Sequence, residues 1–514
     1  MELTILTTSD IHGYLYPTNY INDTEEVDVG LFKIATVFKE EVQTAKGPVL
    51  LIENGDFIQG SPMSQYVKEK LNTPEILLSA LNELNYDLGI LGNHEFNYGT
   101  QYLKKAIKAA KHPILSANIL KEDGDYFADA PVKIIEKGHL KIGVLGLTTQ
   151  YIPNWEHPSH IQGLSFSSAV EVASEWVPKL REQVDVVVVA YHGGFEADLV
   201  TGEATETDTG ENEGSRLLKE VSGIDVLITG HQHREIATTI ESVPVVQPGL
   251  HGEKIGKIVL TLNENNEIVD RKAELLSVES VPADKNLMEK YSSLQNSVNK
   301  WLDEGIGHTK GNMKIEDADK VRLREHPYIE FVNRVQLFYS EADISCTALF
   351  SNDGPGYGEE ITIRDVILNY PYPNTLAVIK ITGKELKEAL EQSANYFILD
   401  DNQEITINPT FKDPKPKHYN YDMYEGIDYI IDVSKPFGER ITKLEFKGQP
   451  VQPQDEFELV TNQYRAVGGG NFKMFEGKEF IREIDQSMND LITKFIQEEG
   501  VIPSDINHNF KVIH

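Results

Sequence analysis

Across the first half of the chain, unbroken runs of Val, Ile and Leu alternate with longer stretches that are apolar at every third or fourth position. The unbroken runs are LTILTT, PVLLIE, DLGILG, KIGVLGL, VDVVVVAY, IDVLITG and VPVVQPG. A strand with one face in water alternates polar and apolar residues. A run without alternation predicts a strand buried on both faces, as in α/β sheets. The intervening stretches GLFKIATVFKEEVQTA, TPEILLSALNELN and GTQYLKKAIKAAKH carry the i, i+3, i+4 spacing of amphipathic helices. Residues 281–306, VPADKNLMEKYSSLQNSVNKWLDEGI, read as one exposed, charged helix joining two halves. Beyond REHPYIEFVNRVQLF the texture changes, to many Tyr and Pro and to strands with polar alternation such as NTLAVIKITG and KLEFKGQPV. The pattern predicts an α/β domain over 1–280, a helical connector over 281–324 and a second domain of different texture over 325–514.

Composition narrows the partners. Lys plus Arg is 48 against 81 Asp plus Glu, a formal charge of −33. Such a surface disfavours duplex nucleic acid and anionic membranes, and an anionic substrate would need local cations. The lone cysteine, Cys346, excludes an intramolecular disulfide and a thiolate cluster, and its apolar setting DISCTALF makes it a core residue. The start MELTILTTSD has no basic, then apolar, leader pattern, and no run reaches the ~18–20 apolar residues of a membrane span. The chain as written is therefore expected to be cytoplasmic, or exported if a leader has been removed, and it is separately expected to be a monomer. Residues 201–215, TGEATETDTGENEGS, read as a mobile acidic loop.

The residues at the carboxyl ends of the apolar runs carry the chemistry. After LTILTTS come Asp10 and His12; after PVLLIEN, Asp56; after DLGIL, Gly92, Asn93 and His94; after VDVVVVAY, His192; after IDVLITG, His231 and His233. In α/β folds, ligands gather at the carboxyl ends of strands. Any one of these residues alone is an ordinary loop residue, but five strand ends in the same register imply one convergent site. Carboxylate and amide oxygens mixed with imidazole nitrogens suit Mn, Zn, Co, Fe or Ni. His251, in PGLHGEK, is read as a loop residue beside the site.

DIHG, NGDFIQGSP, GNHEF, YHGG and TGHQH together resemble the calcineurin-like metallophosphoesterase signature in order and spacing, and the second half resembles the 5′-nucleotidase C-terminal domain. The resemblance implies a catalytic β-sandwich flanked by helices, then a nucleotide-binding α+β domain. It also implies two divalent metal ions, one held by Asp10, His12, Asp56 and His233, the other by Asp56, Asn93, His192 and His231. Two cations ~3.5–4 Å apart acidify a water and neutralise charge on the phosphoryl oxygens. In the family the residue at His94 meets the phosphate and the leaving group instead of the metal.

The same resemblance places a nucleobase between Tyr372 of NYPYPNT and Tyr464 of TNQYRAVGGGNF, brought to the metals by domain closure. Asn352 in SNDGPG matches an Asn/Gly-rich nucleotide loop, but the arginines that usually follow are missing, and Arg465 is the local substitute. In 5′-nucleotidases an Asp stands three residues after the catalytic His, whereas here it is Asn97. An amide orients His94 without stabilising an imidazolium as a carboxylate would. With IQGSP and YNYDMYEGIDYIIDV, that asparagine resembles the 2′,3′-cyclic-nucleotide 2′-phosphodiesterase/3′-nucleotidase branch. The alternatives are a 5′-nucleotidase or nucleotide-sugar hydrolase on the same scaffold, and a non-catalytic nucleotide-binding protein.

Overall fold

All seven apolar runs form strands. The structure, a computed structural model, describes residues 1–21, 26–205, 209–372, 374–413, 416–484 and 486–514. It divides into two compact units, Met1–Asn299 and Lys300–His514. In the first, β1 (Glu2–Thr8), β2 (Val49–Glu53), β3 (Leu88–Ile90) and β4 (Ile114–Leu115) are parallel neighbours. They are followed by β5 (Ile119–Lys121), β6 (Val132–Lys137), β7 (Leu140–Thr148), β8 (Leu164–Phe166) and β9 (Val186–His192). The remaining strands are β10 (Val226–Ile228), β11 (Glu235–Ile240), β12 (Val243–Pro248), β13 (Lys254–Leu262) and β14 (Ile268–Ser277). One sheet has the order β14-β13-β1-β2-β3-β4, the other β11-β12-β10-β9-β7-β6, and β5 pairs with β8.

The sheets form a sandwich, and β9 shows why its sequence lacks alternation. Val186, Val188 and Ala190 join Leu3, Ile5, Leu50 and Ile52 in the core between the sheets. Val187, Val189 and Tyr191 point the other way, onto Ala173, Val177 and Leu180 of the helix Ala169–Arg181 and Leu217 of the helix Gly214–Glu220. Both faces are dry, so both periods of the strand are apolar. Each such valine contributes roughly 1.5–3 kcal/mol of burial. In the second sheet β7, β9, β10 and β12 are parallel too, so the polar residues after them emerge at one edge.

Two expectations need correction. The helix Lys285–Leu302 carries the division between the two units, but it is not exposed all round: Leu287 and Tyr291 are buried, and Tyr291 lies against Phe32 with its hydroxyl 3.0 Å from Ser79 Oγ. An amphipathic helix with a charged outer face looks exposed in sequence until its apolar stripe finds a partner. The acidic stretch 201–215 is only partly described, since residues 206–208 lie outside the described residues, but its end is built into the fold. Asn212 accepts from Gly194 N at 2.7 Å, and Glu213 accepts from Ser168 Oγ and Ala169 N at the start of a helix.

In the second unit, a five-stranded sheet runs in the order Asp422–Glu425, Ile344–Ala348, Glu456–Asn462, Leu376–Thr382, Phe480–Ile484. Cys346 is fully buried in it, as its apolar setting predicts. No described helix is long and apolar enough to cross a membrane.

Candidate metal centre

The strand ends converge through backbone ties as well as side chains. Asp10 N donates to Gly55 O at 2.9 Å, His12 N to Asp56 O at 2.8 Å, and Gly230 N to Gly193 O at 3.1 Å. The turns are so close that a Cβ on Gly92 would stand 2.2 Å from Asp56 Oδ1. Five polar residues here hold a left-handed backbone: Asp10, His12, Asp56, His231 and His233, with φ between 53° and 68°. Each costs of order 1–3 kcal/mol, strain that persists only where the surroundings impose it, and that clusters at functional sites.

Ligand atoms of Asp10, His12 and His233 lie within 4.8 Å of one another, as do those of Asp10, Asp56 and His192. Asp10 thus belongs to both groups by distance, and Asp56 Oδ2 reaches His12 Nε2 at 4.0 Å. His12 gives its Nδ1 proton to Gln59 O at 2.9 Å, and His192 gives its own to Asn54 O at 2.5 Å. That fixes the tautomer and leaves both Nε2 atoms facing the cluster. His12 Nε2 lies 3.3 Å from His233 Nε2. His192 Nε2 and Asp56 Oδ2 are buried 3.1 Å apart as an ion pair, and neither has a further hydrogen-bond partner. Asn93 Oδ1 accepts from His231 Nδ1 at 2.8 Å.

The electrostatics point the same way. Burial alone would raise the Asp10 and Asp56 carboxyls, but His192 foremost holds both below the carboxylate range. Burial works against a charged His192, yet Asp56 and Asp10 push its pKa up to about 10. Burial lowers His12 to about 4 against the pull of Asp56, so its ring is neutral and offers a lone pair. A proton held so tightly among carboxylates marks a place for a cation, and metal binding displaces such protons. Orphaned donor atoms, the fixed tautomers and a mixed oxygen and nitrogen set all fit divalent metal.

His94 stands apart from the two candidate ligand groups. Its N–H donates to Asp56 Oδ1 at 2.8 Å, and its Nδ1 donates to Asn97 Oδ1 at 2.7 Å. Its ring lies 5.2 Å from that of His12. His251, read as a loop residue, is also left-handed, with its ring 3.9 Å from Tyr14 and 6.1 Å from His12.

Several residues here escape a sequence reading. Glu95 is buried and accepts from Asp56 N, Phe57 N and Gly92 N, each at 2.7 Å, and from Ile58 N at 3.3 Å. It sits in the GNHEF run, where its neighbours draw the attention. Glu211 Oε1 meets His231 Nε2 at 2.9 Å, and Trp155 stacks on that ring at 5.3 Å.

In the second unit, Arg465 is not a nucleotide-binding cation. It is 1% exposed, its Nε donates to Asp422 at 2.7 Å, and its other nitrogens go to Gly469 O and Tyr419 O. Asn352 Oδ1 is engaged by Arg322 at 2.6 Å. Tyr372 is half-buried, edge-on to Phe350 at 5.7 Å. Tyr464 is half-buried too, and Gly469 presses on its ring, where a Cβ would come within 2.6 Å.

Residues 3–235 match the calcineurin-like phosphoesterase model, and residues 305–477 the 5′-nucleotidase C-terminal domain. A 2′,3′-cyclic-nucleotide 2′-phosphodiesterase/3′-nucleotidase of Salmonella typhimurium is 32% identical over 91% of this chain and 82% of its own length. The trifunctional nucleotide phosphoesterase of Bacillus subtilis is 28% identical over the whole chain, which spans only 39% of that protein. A crystal structure of a Staphylococcus aureus candidate 5′-nucleotidase superposes with a TM-score of 0.94 at 37% identity, covering 100% of both chains. The chain belongs to the calcineurin-like phosphoesterases that carry a 5′-nucleotidase C-terminal domain, a family of hydrolases that use divalent metals.

Proposed function

We propose that the protein hydrolyses 2′,3′-cyclic nucleotides to 3′-nucleotides, and then 3′-nucleotides to nucleosides and phosphate. The observation that carries the reading is the convergence of Asp10, His12, Asp56, His192 and His233, with Asp56 Oδ2 and His192 Nε2 buried and holding no hydrogen-bond partner, beside a histidine that is not among them. Asp10, His12, Asp56 and His233 would hold one ion, and Asp56, Asn93, His192 and His231 the other. When bound, the metals polarise the phosphoryl group and lower the pKa of water.

The chain's own residues do the rest. His94 Nδ1 is spent on Asn97, so Nε2 is the nitrogen that meets the substrate, stabilising the phosphate or delivering a proton to the ribose oxygen that leaves. Tyr372 and Tyr464 supply aromatic faces for the base, and such stacking tolerates different bases. A net charge of −33 disfavours duplex nucleic acid and membranes as partners. The protein acts as a monomer.

Asn97 and the Salmonella relative favour the cyclic-nucleotide branch. The Staphylococcus structure favours a second reading, a 5′-nucleotidase on the same scaffold. Turnover of 2′,3′-cyclic AMP, 3′-AMP and 5′-AMP by metal-loaded protein decides between them. Activity on 5′-AMP alone would overturn the first.

A further inference from the structure

Glu156 lies between the short turns Ile152–Asn154 and Pro158–His160, outside the strand-end loops that carry the ligands. Its side chain is only 9% exposed, and a carboxylate that deep requires donors. It has three. Asn97 Nδ2 donates to one oxygen at 2.7 Å, and His160 Nδ1 and His157 N donate to the other at 2.7 and 3.0 Å. With both oxygens held, the carboxylate is fixed in place.

The donors and acceptors along this chain fall into one consistent order. Glu156 accepts from the His157 amide and from Asn97, so the Asn97 atom facing it is the NH₂ group. The atom facing His94 is then the amide oxygen, which also only accepts, so His94 Nδ1 carries the proton. Nε2 is left for the substrate. Without Glu156, the Asn97 amide could rotate and offer its NH₂ to His94, which would favour the opposite tautomer.

We infer that Glu156 is a positioning residue for His94, acting through Asn97, and that this is why position 97 holds an amide. An aspartate at 97 would set two carboxylates against each other at the distance now spanned by a 2.7 Å hydrogen bond, and two such groups cannot both ionise. The negative charge stands one side chain further from the imidazole, and the amide transmits its orientation. The inference rests on the reading of His94 as the residue that meets the substrate.

The test is a double-mutant cycle on metal-loaded protein, with 3′-AMP and p-nitrophenyl phosphate as substrates and metal content measured in parallel. Glu156→Ala should lower kcat for 3′-AMP about ten-fold with KM and metal content unchanged. It should spare p-nitrophenyl phosphate, whose leaving group needs no proton, and add nothing to His94→Ala. Glu156→Gln, which can still accept from Asn97, should lose less. Asn97→Asp should be impaired, and Asn97→Asp with Glu156→Gln should recover, because the glutamine NH₂ can donate to the new carboxylate. If His94→Ala is harmless, the reading of His94 falls and takes this inference with it. If His94→Ala is damaging but Glu156→Ala is silent, or lowers the two backgrounds by the same factor, the inference alone falls. Should Glu156→Ala fail to fold, the Asn97→Asp pair carries the test, and lack of rescue overturns the proposal.

Discussion

In the first unit, Asp56 Oδ2 and His192 Nε2 are buried as an ion pair 3.1 Å apart, and no other protein group hydrogen-bonds either atom. In the second, Arg465 and Asp422 are as deeply buried, 2.7 Å apart, and the guanidinium is also held by backbone carbonyls. Both are opposite charges out of water. They differ in what is left over: the second pair is saturated and holds the fold, and the first keeps capacity that only something from outside can use. Buried polar groups cost free energy unless paired, so an unsatisfied set that persists points to a ligand, and a satisfied one to architecture.

The strongest way to break that comparison is to remove the metal. Chelation should abolish turnover, Mn²⁺ or Co²⁺ should restore it, and Asp56→Asn should be the most damaging of the ligand changes. Metal-free protein working at full rate would end the dimetal reading. Next in size, Asp422→Ala should cost about 3–5 kcal/mol of stability by stranding Arg465, and leave metal binding intact. A denaturant melt checks this. Unchanged stability together with a raised nucleotide KM would return Arg465 to the substrate. Smaller again, Tyr372→Ala and Tyr464→Ala should each raise nucleotide KM by the equivalent of ~1–3 kcal/mol of stacking. Neither should alter turnover of bis(p-nitrophenyl) phosphate, which has no base. Equal effects on both substrates would remove the tyrosines from base binding.

The finest test uses an orphan with no ligand set around it. His112 Nε2 is also buried and unpartnered, and burial, opposed by Asp87, lowers this ring from 6.5 to about 4. A histidine depressed in the folded state contributes stability above its unfolded pKa, lost as pH falls from 6.5 towards 4. Replacing His112 by Phe should therefore flatten the acid limb of the stability curve between pH 6.5 and 4, to the same extent with or without metal. A metal-dependent change would mean that an isolated orphan can itself be a ligand.

The same contrast explains what could be read from the residues alone. The strands were legible because their two faces are dry, and the candidate ligands because each stands at a strand end. Glu156 was not: its amide partner, Asn97, is 59 positions away, and nothing local in NWEHPSH marks a carboxylate that reaches it. Glu211 was hidden for a related reason, since an acidic run has the composition of a solvated loop whether or not one of its members turns inward. Arg465 misled in the opposite direction. Beside Tyr464 and a glycine run it has the look of a ligand residue, and only Asp422, 43 positions back, shows otherwise.

Glu95 shows a division of labour within the site. Its carboxylate gathers the amides of Asp56, Phe57, Ile58 and Gly92, and so joins the loop after β2 to the loop after β3 without being one of the ligand set. The shape of these two loops is therefore kept by one side chain and the chemistry by others. Replacing Glu95 should loosen both loops even with every candidate ligand side chain still in place.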